Sequence, residues 1–168
     1  MSLFGFFKKK ADKEKDNFSN AAYNFVPDMY IHIAEKCKYG DAMQSINAYE
    51  RVFYIAQELE GEVNNGGFAQ YFYNPSGNFA NETVNAFTQI GALKTAEICK
   101  KALSAFKVEL PADRAEREEL LDNMDWDGID GINEILSECD HSFYAYEDDL
   151  HSLCVAYIAA HKAYFDKL

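Results

Sequence analysis

No apolar run in these 168 residues approaches the roughly 20 that a helix needs to cross a bilayer. Alternating runs of β-branched residues stop after three or four positions, so strands are not expected. The four cysteines, Cys37, Cys99, Cys139 and Cys154, contain no C-x-x-C pair and no dense framework. A disulfide scaffold is thereby excluded, and a reducing, cytoplasmic location is expected. P-loop, dinucleotide fingerprint and nucleophilic triad are all missing. Gly66-Gly67 has neither a strand ahead of it nor a Lys-Ser/Thr behind it, so it cradles no phosphate. No catalytic residue and no cofactor are expected.

Basic charge is also scarce, but only locally. Residues 109–150 hold 15 of the 28 acidic side chains and two basic ones, Arg114 and Arg117, for a charge of −13. Residues 1–108 balance at 12 against 12, and residues 151–168 carry +1. The net −12 of the chain therefore belongs to one block. Such a block repels nucleic acid and lipid headgroups and attracts basic protein surfaces. A solvated face serving solubility needs charge only in interspersed form, whereas this block is almost unrelieved.

Most of the chain reads at helical period. A hydrophobic fraction of 48% and an aromatic fraction of 15% belong to a folded protein. One all-α, compact, multi-helix domain is predicted over 19–168, behind a basic tail at 1–18. The tail starts with its apolar residues, Phe4, Phe6 and Phe7, ahead of Lys8–Lys10, the reverse of a secretory signal. No membrane contact is expected from so short a patch. Pro27 opens a first helix that runs to Gly40, and Asp41 with Gln44 resembles a capping box for the next. Asn64-Asn-Gly-Gly67 interrupts that helix, 68–73 makes a short aromatic turn, and Pro75-Ser-Gly77 is a loop. Residues 79–106 form one long periodic stretch, which Pro111 ends. Asp113 with Glu116 offers a second capping box. A short helix carries Ile129, Ile132, Ile135 and Leu136, and 150–165 supplies the last one.

Three patterns suggest metal chemistry. Asn123 to Glu134 satisfies positions 3, 5, 6 and 12 of a calcium-binding EF-hand loop, with Gly128 at the turn. It departs at position 1, which is Asn123, and at position 8, which is Asp130. Cys139, His141, His151 and Cys154 offer thiolates and imidazoles suited to zinc, at a spacing that belongs to no common module. Glu138-x-x-His141 and Asp148-x-x-His151 echo di-iron bundles, for which Glu58, Glu62 or Glu97 would have to supply the remaining ligands. A metal-binding module or metal-dependent enzyme is the alternative that these patterns leave open.

Asn64, Asn65, Gly66, Gly67, Phe68, Gln70 and Asn74 form the densest amide, glycine and aromatic cluster. Amides beside glycines cap helix ends at tight turns, and the same composition makes a ligand pocket or a partner contact. The full stretch, Glu62-Val-Asn-Asn-Gly-Gly-Phe-Ala-Gln-Tyr-Phe-Tyr-Asn74, resembles the NNGGF signature of a bacterial domain family whose best-described member is a DNA mimic. Glu82-Thr, Ile90-Gly-Ala and Phe143-Tyr-Ala-Tyr-Glu-Asp-Asp-Leu150 follow in order, so the resemblance covers roughly residues 45–166. It implies an all-helical fold, a homodimer, no catalysis, and occupation of a transcription factor's DNA-binding surface.

Charge geometry sets a condition on mimicry. Asp127, Asp130, Glu134 and Glu138 recur at threes and fours and would line one helix face, about 16 Å long with four charges. Duplex DNA carries one charge per roughly 1.7 Å of axis, so that row is too sparse alone. A second row, Asp113, Glu116, Glu119 and Asp122, together with Glu147, Asp148 and Asp149, would have to stand beside it, doubled by a dimer. The leading expectation is a DNA-mimic protein that binds a basic DNA-binding protein through these carboxylates, not nucleic acid itself. A non-mimic interaction protein of the same fold, binding a toxin for example, would present the same acidic face.

Overall fold

The second helix, α2 (Ala48–Tyr73), organises the rest of the chain. It belongs to a computed structural model that describes residues 25–129 and 131–166. The 1–18 tail and Asp130 lie outside the described residues. Among those residues every regular element is helical: α1 over 25–36, α2, α3 (Thr83–Ile90), α4 (Leu93–Ser104), α5 (Arg114–Asp122), α6 (Ile132–Tyr144) and α7 (Leu150–Ala160). Short 3-10 turns at Met43–Ser45 and Pro75–Glu82 lie between helices, and a third at Lys162–Tyr164 follows α7. None of these helices is long and apolar enough to cross a membrane.

α2 begins at a full capping box. The Asn47 side chain accepts from the Tyr49 and Glu50 N–H groups, and Glu50 accepts from the Asn47 N–H at 2.9 Å. That box replaces the expected one at Asp41 and Gln44, which sit in turns between α1 and α2. Apolar residues then recur on nearly every side of α2, because α3, α5, α6 and the 75–82 turn all pack against it. α1 lies along its first half, joined by the stacked Tyr30 and Tyr54 rings and by Lys36 paired with buried Glu50 at 2.7 Å. One core runs from Val26 to Phe165 and encloses all four cysteines as free thiols.

Several expected boundaries move. Residues 68–73 are not a separate turn but the second segment of α2, and Pro75-Ser-Gly77 opens a 3-10 turn with Pro75 in its first position. The 79–106 stretch divides, because Gly91 at φ 91° ends α3 in the left-handed conformation. α6 starts at Ile132, so Ile129 stands fully exposed on the preceding loop instead of in the core. Residues 150–165 form α7 and a separate terminal turn. Only half of the second capping box exists: Asp113 accepts from the Glu116 N–H at 3.0 Å, with no return bond from the Glu116 side chain.

Candidate functional site

The NNGGF segment is where α2 breaks and restarts. Gly66 and Gly67 leave helical geometry, and Gly67 takes φ 79° and ψ 178°, a combination essentially confined to glycine. The restart exposes the N–H of Phe68, which donates to Asp140 Oδ1 on α6 at 2.8 Å. A carboxylate from a distant helix thus caps the second segment of α2. Asp140 approaches so closely that a Cβ on Gly67 would lie 2.5 Å from its Oδ2. Burial raises the Asp140 pKa above the ordinary aspartate value, and the Phe68 N–H partly offsets that rise.

The amides of the segment face two directions. Gln70 and Asn74 both donate to Glu62 Oε2, at 2.8 and 2.7 Å, tying the two segments of α2 together across the kink. Asn64 donates to the Tyr146 hydroxyl at 2.6 Å, which in turn donates to Glu60 at 3.1 Å. Tyr144 donates to the Val63 carbonyl at 2.8 Å. Tyr144 at the end of α6 and Tyr146 just after it are thereby fastened to the last turn before the kink. Asn65 is exposed.

Arg117 is the second anchor. It is 0% exposed, and its five guanidinium bonds go to the carbonyls of Phe72, Asn74, Pro111 and Ala112 and to Asn78 Oδ1, at 2.7 to 3.2 Å. Every partner is neutral, so burial lowers its pKa without reversing its charge state. Gly77 leaves room for this cage: a Cβ there would lie 2.8 Å from the Tyr71 and Phe72 carbonyl oxygens. Arg114 is then the one Lys or Arg of the 109–150 block that reaches the surface, where it pairs with Glu118 at 2.8 Å.

The acidic block separates by task. Asp113 and Asp149 cap their own helices, α5 and α7. Asp148 is half-buried and accepts from the Thr95 N–H and hydroxyl at 2.8 and 2.9 Å, capping α4. Glu138 pairs with Lys101 at 2.6 Å, Asp122 accepts from Tyr73 at 3.1 Å, and Asp127 accepts from Asn133 at 2.7 Å. Glu116, Glu119, Glu134 and Glu147 are exposed carboxylates without a cationic partner among the described residues. The expected row of four on one helix does not form, because α6 begins after Asp127. Only Glu134 and Glu138 share its surface. α5 packs mainly on α2 and the 75–82 turn, and α6 on α2 and α4, so the two acidic helices are held by a common support.

A family model described as DMP19-like protein matches residues 44–161 and so spans the signature, the Arg117 cage and the whole acidic block. The chain belongs to the DMP19-like protein family. This is the DNA-mimic family that the signature resembles. Comparison with curated proteins and with solved structures yields no match.

In this DMP19-like chain the candidate metal ligands are dispersed. Among the described residues no group of three or more His, Cys, Asp or Glu side chains could hold a metal ion. Cys139 and Cys154 are core residues whose thiols burial pushes up to about 11 and about 12. His141 is exposed and its Nδ1 bonds the Ser137 carbonyl within α6. Asn123, the first position of the calcium-like loop, donates instead to the Glu119 carbonyl at 2.7 Å. Sequence patterning missed Asp140, Asp148 and Arg117 as structural anchors. Nothing local announces the first two, since each caps a helix far away in the chain. A lone arginine amid carboxylates reads as a surface ion pair.

Proposed function

We propose that this protein is a DNA mimic: its 109–150 carboxylates occupy the DNA-binding surface of a transcription factor or another basic DNA-binding protein in the cytoplasm. Membership of the DMP19-like family carries this proposal, and the charge distribution supports it. Glu116, Glu119, Asp122, Asp127, Glu134, Glu138 and Glu147 are exposed, and burial of Arg117 leaves little basic relief among them. One protomer still falls short of a duplex in charge per length. A homodimer that sets two acidic faces side by side would supply the second row. No catalytic step is proposed.

Affinity capture with the full chain at low ionic strength tests this. The retained proteins should be nucleic-acid-binding proteins, and excess duplex DNA should displace them. Retained partners without nucleic-acid affinity, or a complex indifferent to duplex, would sink the proposal. Analytical ultracentrifugation should find a dimer; a monomer at working concentration would remove the doubled surface.

A further inference from the structure

Ile129 is left wholly in solvent, whereas no other large apolar side chain among the described residues exceeds 65% exposure. It stands on the loop between α5 and α6, inside the acidic block. That loop is braced, not slack. Trp126 donates to the Leu121 carbonyl at 2.8 Å, stacks on Tyr73 and meets Phe106 edge-on. The Asn133 N–H donates to the Trp126 carbonyl at 3.1 Å, and the Asn133 amide donates to Asp127 Oδ1 at 2.7 Å. The Gly131 N–H closes a turn onto the Gly128 carbonyl at 2.9 Å. Bonds on both sides of Ile129 thus hold it outward, and none of them involves its side chain. A shallow hollow of about 140 Å³ lies beside it, bordered on the loop by Met124, Asp125 and Gly128.

Charge around the side chain selects what covers it. The Asp125 carboxylate lies over Gly128, where a Cβ would collide with it. Asp127 follows on the loop and Glu134 in the first turn of α6, both exposed. A second copy meeting Ile129 about a two-fold axis would bring these carboxylates against their own counterparts, and like charges repel. An anionic lipid surface is repelled in the same way. A basic protein is attracted. An apolar contact ringed by charged groups has the anatomy of a binding hot spot, in which the rim keeps water from the centre. We propose that Ile129 is an apolar anchor for a basic protein partner, packing on an aliphatic or aromatic side chain that Lys or Arg flanks. This contact rests on the acidic partner face proposed above but not on displacement of DNA. A phosphate backbone supplies charge and no such side chain, so the anchor adds what imitation of phosphates alone does not.

A double-mutant cycle between the full chain and two peptides tests the anchor. One peptide is a short capped run of lysines and arginines with a single central leucine, and its twin carries serine there. Trp126, the only tryptophan of the chain, reports binding by fluorescence from the same loop. Wild type should bind the leucine peptide about tenfold more tightly than its twin, and Ile129→Ser should abolish that preference. Ile129→Ser should leave the salt dependence unchanged, because apolar contact is not screened, whereas Asp127→Asn should weaken it for both peptides. The exposed position means that Ile129→Ser should melt with wild type. No preference for leucine in wild type, or a preference that survives in Ile129→Ser, overturns the proposal. So does a dimer that dissociates in Ile129→Ser, which would place the side chain between two copies. If the cycle succeeds while duplex DNA fails to displace captured partners, the anchor stands and the mimic function falls. The reverse pair of results removes the anchor and leaves the mimic.

Discussion

Gly67 is the residue on which the family signature turns. Its backbone lies where a side chain is strained, and Asp140 occupies the space a Cβ would need. Gly67→Ala should cost about 2 kcal/mol, or roughly 4–8 °C in melting temperature by differential scanning calorimetry. Gly61 provides the contrast. It lies earlier in α2 with nothing within 4 Å of a built Cβ, so Gly61→Ala should stabilise the protein by about 0.5–1 kcal/mol. Arg117→Lys should cost about 2–4 kcal/mol in urea denaturation, because three donors on a flexible ammonium cannot serve five fixed acceptors. The glycine pair was visible as a break in helical period. Its partner Asp140 was not, because a tertiary cap depends on packing between α2 and α6 that no local pattern encodes.

Element boundaries follow capping chemistry more than hydrophobic period. The long stretch over 79–106 reads continuously in apolar spacing, yet Gly91 divides it, and its left-handed conformation is the reason. The calcium-like match at 123–134 similarly overstated local order, since Asn123 turns back to α5 and α6 starts only at Ile132. Caps also bear a pH signature. The Ser152 hydrogen bonds hold the Asp149 carboxyl below its ordinary value of 3.8. Its contribution is therefore present above that value and is lost as pH falls through the lowered folded one. Melting temperatures of wild type and Asp149→Ala should differ at neutral pH and converge as the medium becomes strongly acidic. A gap that persists undiminished in acid would mean that the charge on Asp149 contributes nothing to the cap. Asp140 has the opposite sign. Its raised value means that the stability it contributes is greatest in acid and is lost as pH rises through that folded value.

For the whole molecule, the all-α class was legible because helical period and the absence of alternating strands agree. The concentration of negative charge was equally plain, but its division of labour was not. Asp113, Asp148 and Asp149 cap helices, Asp140 holds the kink, and Glu138 answers Lys101, leaving a smaller set of unpaired carboxylates for a partner. That set is spread over α5, α6 and the segments beside them, all supported by α2. The proposed imitation of DNA thus rests on carboxylates from separate elements instead of one charged helix. A competition titration, with a captured and purified partner, duplex DNA and this protein over a range of salt, tests that claim most directly. The account predicts that duplex and protein exclude each other and that affinity for the protein falls steeply with salt. Simultaneous binding of both, or an affinity that salt leaves unchanged, would contradict it.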